Sequence, residues 1–333
     1  MTKERIMTYS TLDLFPSASP LATKYLDVGD GQSLYVETYG NPEGIPAIFL
    51  HGGPGSGCNS DQARIFDPKK YHAILFDQRG SGRSSPKRTL HNNTTQHLIS
   101  DMELIRRTLS IDKWALVGGS WGSTLAVAYA EQYPRRVSGM LLRAIFLGTL
   151  EETQWAFGTG PQTFHPDLWA KFTDLLPTTH KQNPIQAFGT LLENPDPSVH
   201  LGAAEAWSQF ERGLSSLVPA PTNFPSALST EVKRVEGTTP NTPFLEWHYI
   251  KNDWFLDPNQ LMREAKRLTG IPGILIQGRY DMLCPPTTAY DLSKRWPEGE
   301  LRIIPSSGHS ATEPRIRTEL IRATTDLTER VIL

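Results

Sequence analysis

The sequence predicts an α/β fold: a mostly parallel sheet flanked by helices, with a helical cap inserted between two strands. Three observations carry this. Short apolar runs recur without alternation, at Ala47–Leu50, Ala73–Phe76, Ala115–Val117 and Met140–Leu142, as expected of strands buried on both faces. Helical patterns lie between them at Leu98–Leu109 and Thr124–Tyr133, and β-α-β alternation builds an open parallel sheet. From about Leu150 to Thr269 the strand signals vanish, and they resume only at Gly273–Ile276 and Leu301–Ile304.

In chain order, a polar arm from Met1 to Pro20 leads into Lys24–Val28 and Leu34–Tyr39, a hairpin around Gly29-Asp30-Gly31. The apolar strands and their helices follow, and the second helix stops at Pro134, which cannot continue it. The strandless stretch alternates helical segments with Pro/Asn/Gly punctuation and holds Trp155, Trp169, Trp207, Trp247 and Trp254 out of eight tryptophans. The expected division is residues 1–149 with 270–333 as the core, and 150–269 as the cap.

A chain of 333 residues accommodates one large domain with an insertion. A hydrophobic share of 38% and a charged share of 20% are ordinary for a globular protein. A net charge of −2 with scattered basic residues argues against nucleic acid or an anionic membrane as partner. No apolar run approaches the roughly 18 residues of a membrane span, and the arm lacks the apolar core of a secretory signal. Two cysteines, Cys58 and Cys284, fit free thiols in a reducing compartment, so the cytoplasm is expected.

The chemistry concentrates at Gly118-Gly119-Ser120-Trp121-Gly122, where a strand pattern turns directly into a helix. Glycines on either side let the serine sit on a tight elbow with its hydroxyl above the sheet edge. Ser120 needs a base and a group to orient it. Asp281 follows the strand ending at Ile276, and His309 follows the strand ending at Ile304. C-terminal ends of parallel strands open on one edge, where such folds bind ligands. His309 is expected to take the Ser120 proton as general base, with Asp281 fixing its tautomer. Asp253, Asp257 and Glu313 are other candidate acids, but none follows a strand.

His51-Gly52-Gly53-Pro54-Gly55 follows the first buried strand. The backbone N–H groups of Gly53 and Trp121 are expected to form an oxyanion hole, each donor worth roughly 3–4 kcal/mol in the transition state. Gly53-x-Gly55-x-Gly57 lacks dinucleotide-binding spacing. The turn Asp77-Gln78-Arg79-Gly80-Ser81-Gly82-Arg83-Ser84 is expected to brace the same site. No phosphate-loop lysine motif and no H-E-x-x-H occurs, and the nine histidines show no zinc-like spacing, so no metal is expected.

Together these words, with Gly278-Arg279-Tyr280-Asp281 and Gly308-His309-Ser310, resemble the proline iminopeptidase (prolyl aminopeptidase) family of α/β-hydrolases, over about Tyr35 to Ala323. The resemblance implies the α/β-hydrolase fold and a serine hydrolase that releases N-terminal proline, or a similar small residue, through an acyl-enzyme. It implies no metal or cofactor and a small peptide, amide or ester as substrate. It also implies carboxylates on the cap that hold the substrate's free amine, and Glu211 in Ala206-Trp207-Ser208-Gln209-Phe210-Glu211 matches one. Phe146, Ala156 and Trp207 are the other pocket residues it suggests.

Two departures stand out. The second carboxylate is expected within Tyr249–Phe255, where this chain carries Lys251. Ala156 stands where the family has an aromatic, and Gly158-Thr159-Gly160 replaces the acid that follows it. A lysine for a glutamate turns attraction for a cationic amine into repulsion. Either Lys251 pairs with Glu211, or Glu246 or Asp253 supplies the lost carboxylate, or Lys251 faces solvent. An amidase or esterase of altered acyl specificity is therefore the second expectation. A non-catalytic binding module is disfavoured because Ser120, Asp281, His309 and the oxyanion glycines are all present.

Overall fold

In the computed structural model, residues 12–225, 228 and 241–331 are described. Part of the N-terminal arm, residues 1–11, and part of the expected cap, residues 226–227 and 229–240, lie outside them. Eight strands form one sheet: β1 (Ala22–Asp27), β2 (Ser33–Gly40), β3 (Ile45–Leu50), β4 (Tyr71–Phe76), β5 (Trp114–Ser120), β6 (Val137–Ile145), β7 (Gly273–Gly278) and β8 (Gly299–Ile304). Their order is β1-β2-β4-β3-β5-β6-β7-β8. β1 and β2 form the expected hairpin, β2 pairs antiparallel with β4, and every later pair is parallel.

The order reverses between β3 and β5. The chain leaves β3 outward to β4, then returns past it to β5 and runs the other way. At such a switch point the loops leaving neighbouring strands diverge, which opens a crevice at their C-terminal ends. The His51 loop leaves β3 and Ser120 ends β5, so both flank this crevice.

Core helices are α1 (Ser60–Ala63), α2 (Thr95–Thr108) and α3 (Trp121–Gln132). Both longer helices begin about three residues ahead of their apolar pattern. Thr94 caps α2 by accepting from His97 N–H, and α3 starts at once after Ser120. Between β6 and β7 the described chain is helical: α4 (Leu150–Gln154), α5 (Gly160–Phe164), α6 (Pro166–Thr173), α7 (Pro184–Leu192), α8 (Pro197–Leu214), α9 (Thr242–Ile250) and α10 (Gln260–Arg263), with short irregular turns. A capping box between Thr149 and Glu152 opens this insertion. The chain ends with α11 (Pro286–Arg295) and α12 (Pro314–Leu327), packed on the sheet.

The insertion has its own core, in which Phe172 stacks on Phe188 and Phe210 at centroid distances of 4.1 and 4.2 Å. It meets the sheet through aromatics, with Trp121 4.6 Å from Tyr249 and Phe146 4.7 Å from Trp254. Tyr249 Oη donates to Asn93 Oδ1 and Thr95 Oγ1 donates to the Trp254 carbonyl, so buried hydrogen bonds fix the same junction.

Candidate active site

Ser120 sits at φ 56°, ψ −129°, a left-handed conformation that costs a non-glycine residue of order 1–3 kcal/mol. The surroundings enforce it. A Cβ on Gly118 would lie 2.5 Å from the Gly122 carbonyl oxygen, and one on Gly122 would lie 2.1 Å from that of Leu50. Strand and helix therefore approach closely enough to hold the turn only because both positions are glycine. As first residue of α3, Trp121 has a backbone N–H without an intrahelical acceptor.

Asp281 and His309 arrive on the loops after β7 and β8. His309 Nδ1 lies 3.0 Å from both oxygens of Asp281, whose side chain is fully buried. Asp281 also accepts from the backbone N–H groups of Leu283 and Cys284, at 3.0 and 2.8 Å. These donors aim the carboxylate at the ring, so Nδ1 is the nitrogen that donates to it and Nε2 is left facing away from Asp281. Arg143, from β6, donates from its buried guanidinium to the His309 carbonyl, and burial pulls its pKa down.

The loop after β3 is held from behind. His51 Nε2 accepts from Gln78 N–H at 3.0 Å, leaving Nδ1–H for the Gly52 carbonyl at 2.9 Å. Burial lowers the His51 pKa and keeps the ring neutral for this role. The Gln78 side chain donates to the His51 carbonyl and accepts from Trp121 Nε1, at 3.0 and 2.9 Å. One glutamine thus ties together the two loops that carry Gly53 and Trp121.

A cavity of about 550 Å³ lies over this edge, lined by Gly53, Ser120 and His309 below and by Ala156, Glu211 and Glu246 from the insertion. Phe146 and Cys284 line it as well. Glu211 and Glu246 share a hydrogen bond, and burial raises both carboxyl pKa values, that of Glu211 to about 7. The Glu211 charge raises Glu246 further, so the pair holds one proton between them. Trp207 donates its indole N–H to Glu246 Oε2 at 2.7 Å.

Two pocket expectations are corrected here. Lys251 does not line the cavity; its ammonium pairs with Glu193, and its side chain is 36% exposed. It caps the end of α9, a position that turns its side chain from the face bearing Glu246. Trp207 is fully buried and lies behind Glu246 rather than in the cavity wall. The second acid beside Glu211 is Glu246, five residues before Lys251 on the same helix. Arg143 escaped the sequence reading, although a lone arginine in the apolar strand Met140-Leu-Leu-Arg-Ala-Ile145 marks a half-buried cation.

Among the described residues, Asp281, Cys284 and His309 alone bring three ligand-type atoms together, within 4.8 Å of one another. The set does not suit a metal ion. His309 Nδ1 is occupied by Asp281, whose oxygens also accept two N–H groups, and burial pushes the Cys284 thiol well up, away from the thiolate a metal needs. Cys58 and Cys284 are both free thiols. Among the described residues no helix is long and apolar enough to cross a membrane.

Comparison with known proteins agrees with this geometry. The family profile described as the alpha/beta hydrolase fold matches residues 46–314. The chain is 41% identical over 318 residues to a protein of Xylella fastidiosa named proline iminopeptidase, covering 93% of this chain and 98% of that one. It is 39% identical over 314 residues to the proline iminopeptidase of Arabidopsis thaliana, covering 93% and 80%. Among solved structures, the proline iminopeptidase of Mycobacterium smegmatis superposes with a TM-score of 0.59 at 18% identity, covering 93% of this chain and 98% of the other, a likeness of fold. Residue pattern, fold and relatives converge, and the chain belongs to the proline iminopeptidase family of α/β-hydrolases.

Proposed function

We propose that this protein is a serine aminopeptidase that releases N-terminal proline from peptides through an acyl-enzyme, with Ser120, Asp281 and His309 as its triad. The observation that carries this reading is a pair of adjoining acids, half-buried Glu211 and buried Glu246, in the same cavity as Ser120. His309 Nε2 takes the Ser120 proton as Oγ attacks the prolyl carbonyl, and the imidazolium then protonates the leaving amine. The N–H groups of Gly53 and Trp121 receive the oxyanion. Water, activated by His309, hydrolyses the ester and frees proline.

The acid pair reads the substrate's amine. With one proton shared between them, Glu211 and Glu246 carry about one negative charge, matched to one prolyl ammonium. Burial raises both pKa values, so the pair loses that charge as pH falls through neutrality, and amine binding weakens in acid. An extended peptide would place a neutral amide at this position, which supports an exopeptidase rather than an endopeptidase. The proline ring packs against Phe146 and Ala156, and residues 150–269 act as the cap domain that closes over it. Lys251 was the main basis for an altered specificity, and its pairing with Glu193 removes that basis. Two free thiols support a reducing compartment, the cytoplasm.

The test is a substrate panel. Prolyl arylamide should be cleaved, N-acetylprolyl arylamide should be resistant, and a fluorophosphonate should label Ser120. Equal turnover of the acetylated and free substrates would contradict amine recognition.

A further inference from the structure

A second cavity, of about 290 Å³, abuts the first, and Gly52, Gln62 and Arg143 line both. Its wall is largely apolar, with Phe49, Ile65, Val117 and Leu320, and Ala311 and Thr312 close one side of it just beyond His309 in the chain. Arg317 of α12 also lines it, and its Nε is buried with no hydrogen-bond partner. The ion pair that Arg317 makes is weak: Asp13 lies 4.0 Å away and is 95% exposed. Asp61, another lining residue, is already paired with Arg64 at 2.8 Å.

The direction of the reaction gives this cavity an occupant. The acid pair holds the proline amine at the cap end of the first cavity, while His309 delivers its proton to the leaving nitrogen. The leaving chain therefore starts at His309 and proceeds toward the side lined by Ala311 and Thr312. There it meets apolar walls and the Arg317 guanidinium, whose only ion pair among the described residues is the weak one with Asp13 and whose charge suits a carboxylate.

We propose that the second cavity binds the residue that follows proline, and that Arg317 binds the free carboxylate of a short peptide whose second residue is apolar. The inference rests on the prolyl aminopeptidase reading and narrows its substrate class to dipeptides of the Pro-Leu kind. Arg317 is a specificity residue that takes no part in the chemistry.

The experiment measures kcat and KM of the wild type and of Arg317→Met and Arg317→Lys on Pro-Leu, Pro-Leu amide and prolyl p-nitroanilide. Methionine keeps the apolar stem that packs on the helix while removing the fork. For Arg317→Met, kcat/KM on Pro-Leu should fall about tenfold, equivalent to about 1.4 kcal/mol, mainly through KM. The amide and the anilide should stay within about twofold, and Arg317→Lys should recover part of the loss. An equal fall on all three substrates, or no fall on Pro-Leu, overturns the assignment of this cavity while leaving the underlying activity standing. A wild type that frees no proline from any of the three overturns both.

Discussion

The sheet edge and the helical insertion handle charge in opposite ways. At the sheet edge, Asp281 is surrounded by donors: two backbone N–H groups and the His309 ring. That region is built to keep a negative charge in place and to accept more of it as an oxyanion forms. In the insertion, Glu211 and Glu246 face each other with one indole N–H, donated to Glu246, as their hydrogen-bond support. Their charge is destabilised until a cation arrives. One region is organised for charge created by the reaction, the other for charge the substrate brings.

The difference predicts a graded set of responses. Ser120→Ala should reduce turnover of every substrate by roughly 10⁴-fold or more, since nucleophile and base act as a unit. Circular dichroism should be unchanged, because the elbow is held by its glycines. Asp281→Asn should cost roughly 10⁴ in kcat by favouring the wrong imidazole tautomer, on amine-bearing and amine-free substrates alike. Near-normal turnover by Asp281→Asn would move the orienting role to another acid.

A smaller effect concerns stability. Glu131 on α3 is 5% exposed, and burial, with the Glu264 charge, lifts its carboxyl pKa to about 8. A folded-state value above the unfolded one means the folded protein holds this proton more tightly. The resulting stability is complete below about pH 4.5 and is lost as pH rises toward about 8. Glu131→Gln should therefore raise the Tm relative to wild type by a few degrees at pH 8.5 and by much less at pH 5. A gap that stays constant with pH would show that the Glu131 carboxyl titrates normally.

The smallest effect is predicted at Lys251. Its pair with Glu193 is about half exposed, and such pairs contribute roughly 0–1 kcal/mol. Lys251→Ala should leave kcat/KM for prolyl arylamide within about twofold. A tenfold change would return Lys251 to the pocket.

The two regions also differed in how far their sequences could be read. Each reacting group of the sheet edge sits directly after an apolar strand, and parallel strands end on one edge, so position in sequence implied position in space. The glycines of the elbow carried the same information, because their contacts with Gly122 and Leu50 backbone leave no room for a Cβ. In the insertion the acids sit on helices, and a helix shows its facing only once its packing is known. Glu246 lies on α9 and Lys251 caps its end, yet one meets Glu211 and the other Glu193. The two glutamates come from α8 and α9, whose pairing no local pattern encodes. The partners of Gln78 and Trp207 could not be read for the same reason: Trp121 and Glu246 are 43 and 39 residues away.

The central claim is that the sheet edge performs the chemistry while Glu211 and Glu246 select the amine. The most direct measurement compares Glu211→Gln and Glu246→Gln with wild type on prolyl p-nitroanilide and on the p-nitrophenyl ester of cyclopentanecarboxylic acid, which keeps the ring and lacks the amine. Losing a charge-assisted contact of about 1.5–3 kcal/mol should lower kcat/KM on the prolyl substrate by roughly 10- to 150-fold. Turnover of the ester should be unchanged, because it carries no amine for the two acids to hold. Parallel losses on both substrates would contradict the account, since they would make the two acids part of the common catalytic machinery rather than readers of the substrate's charge.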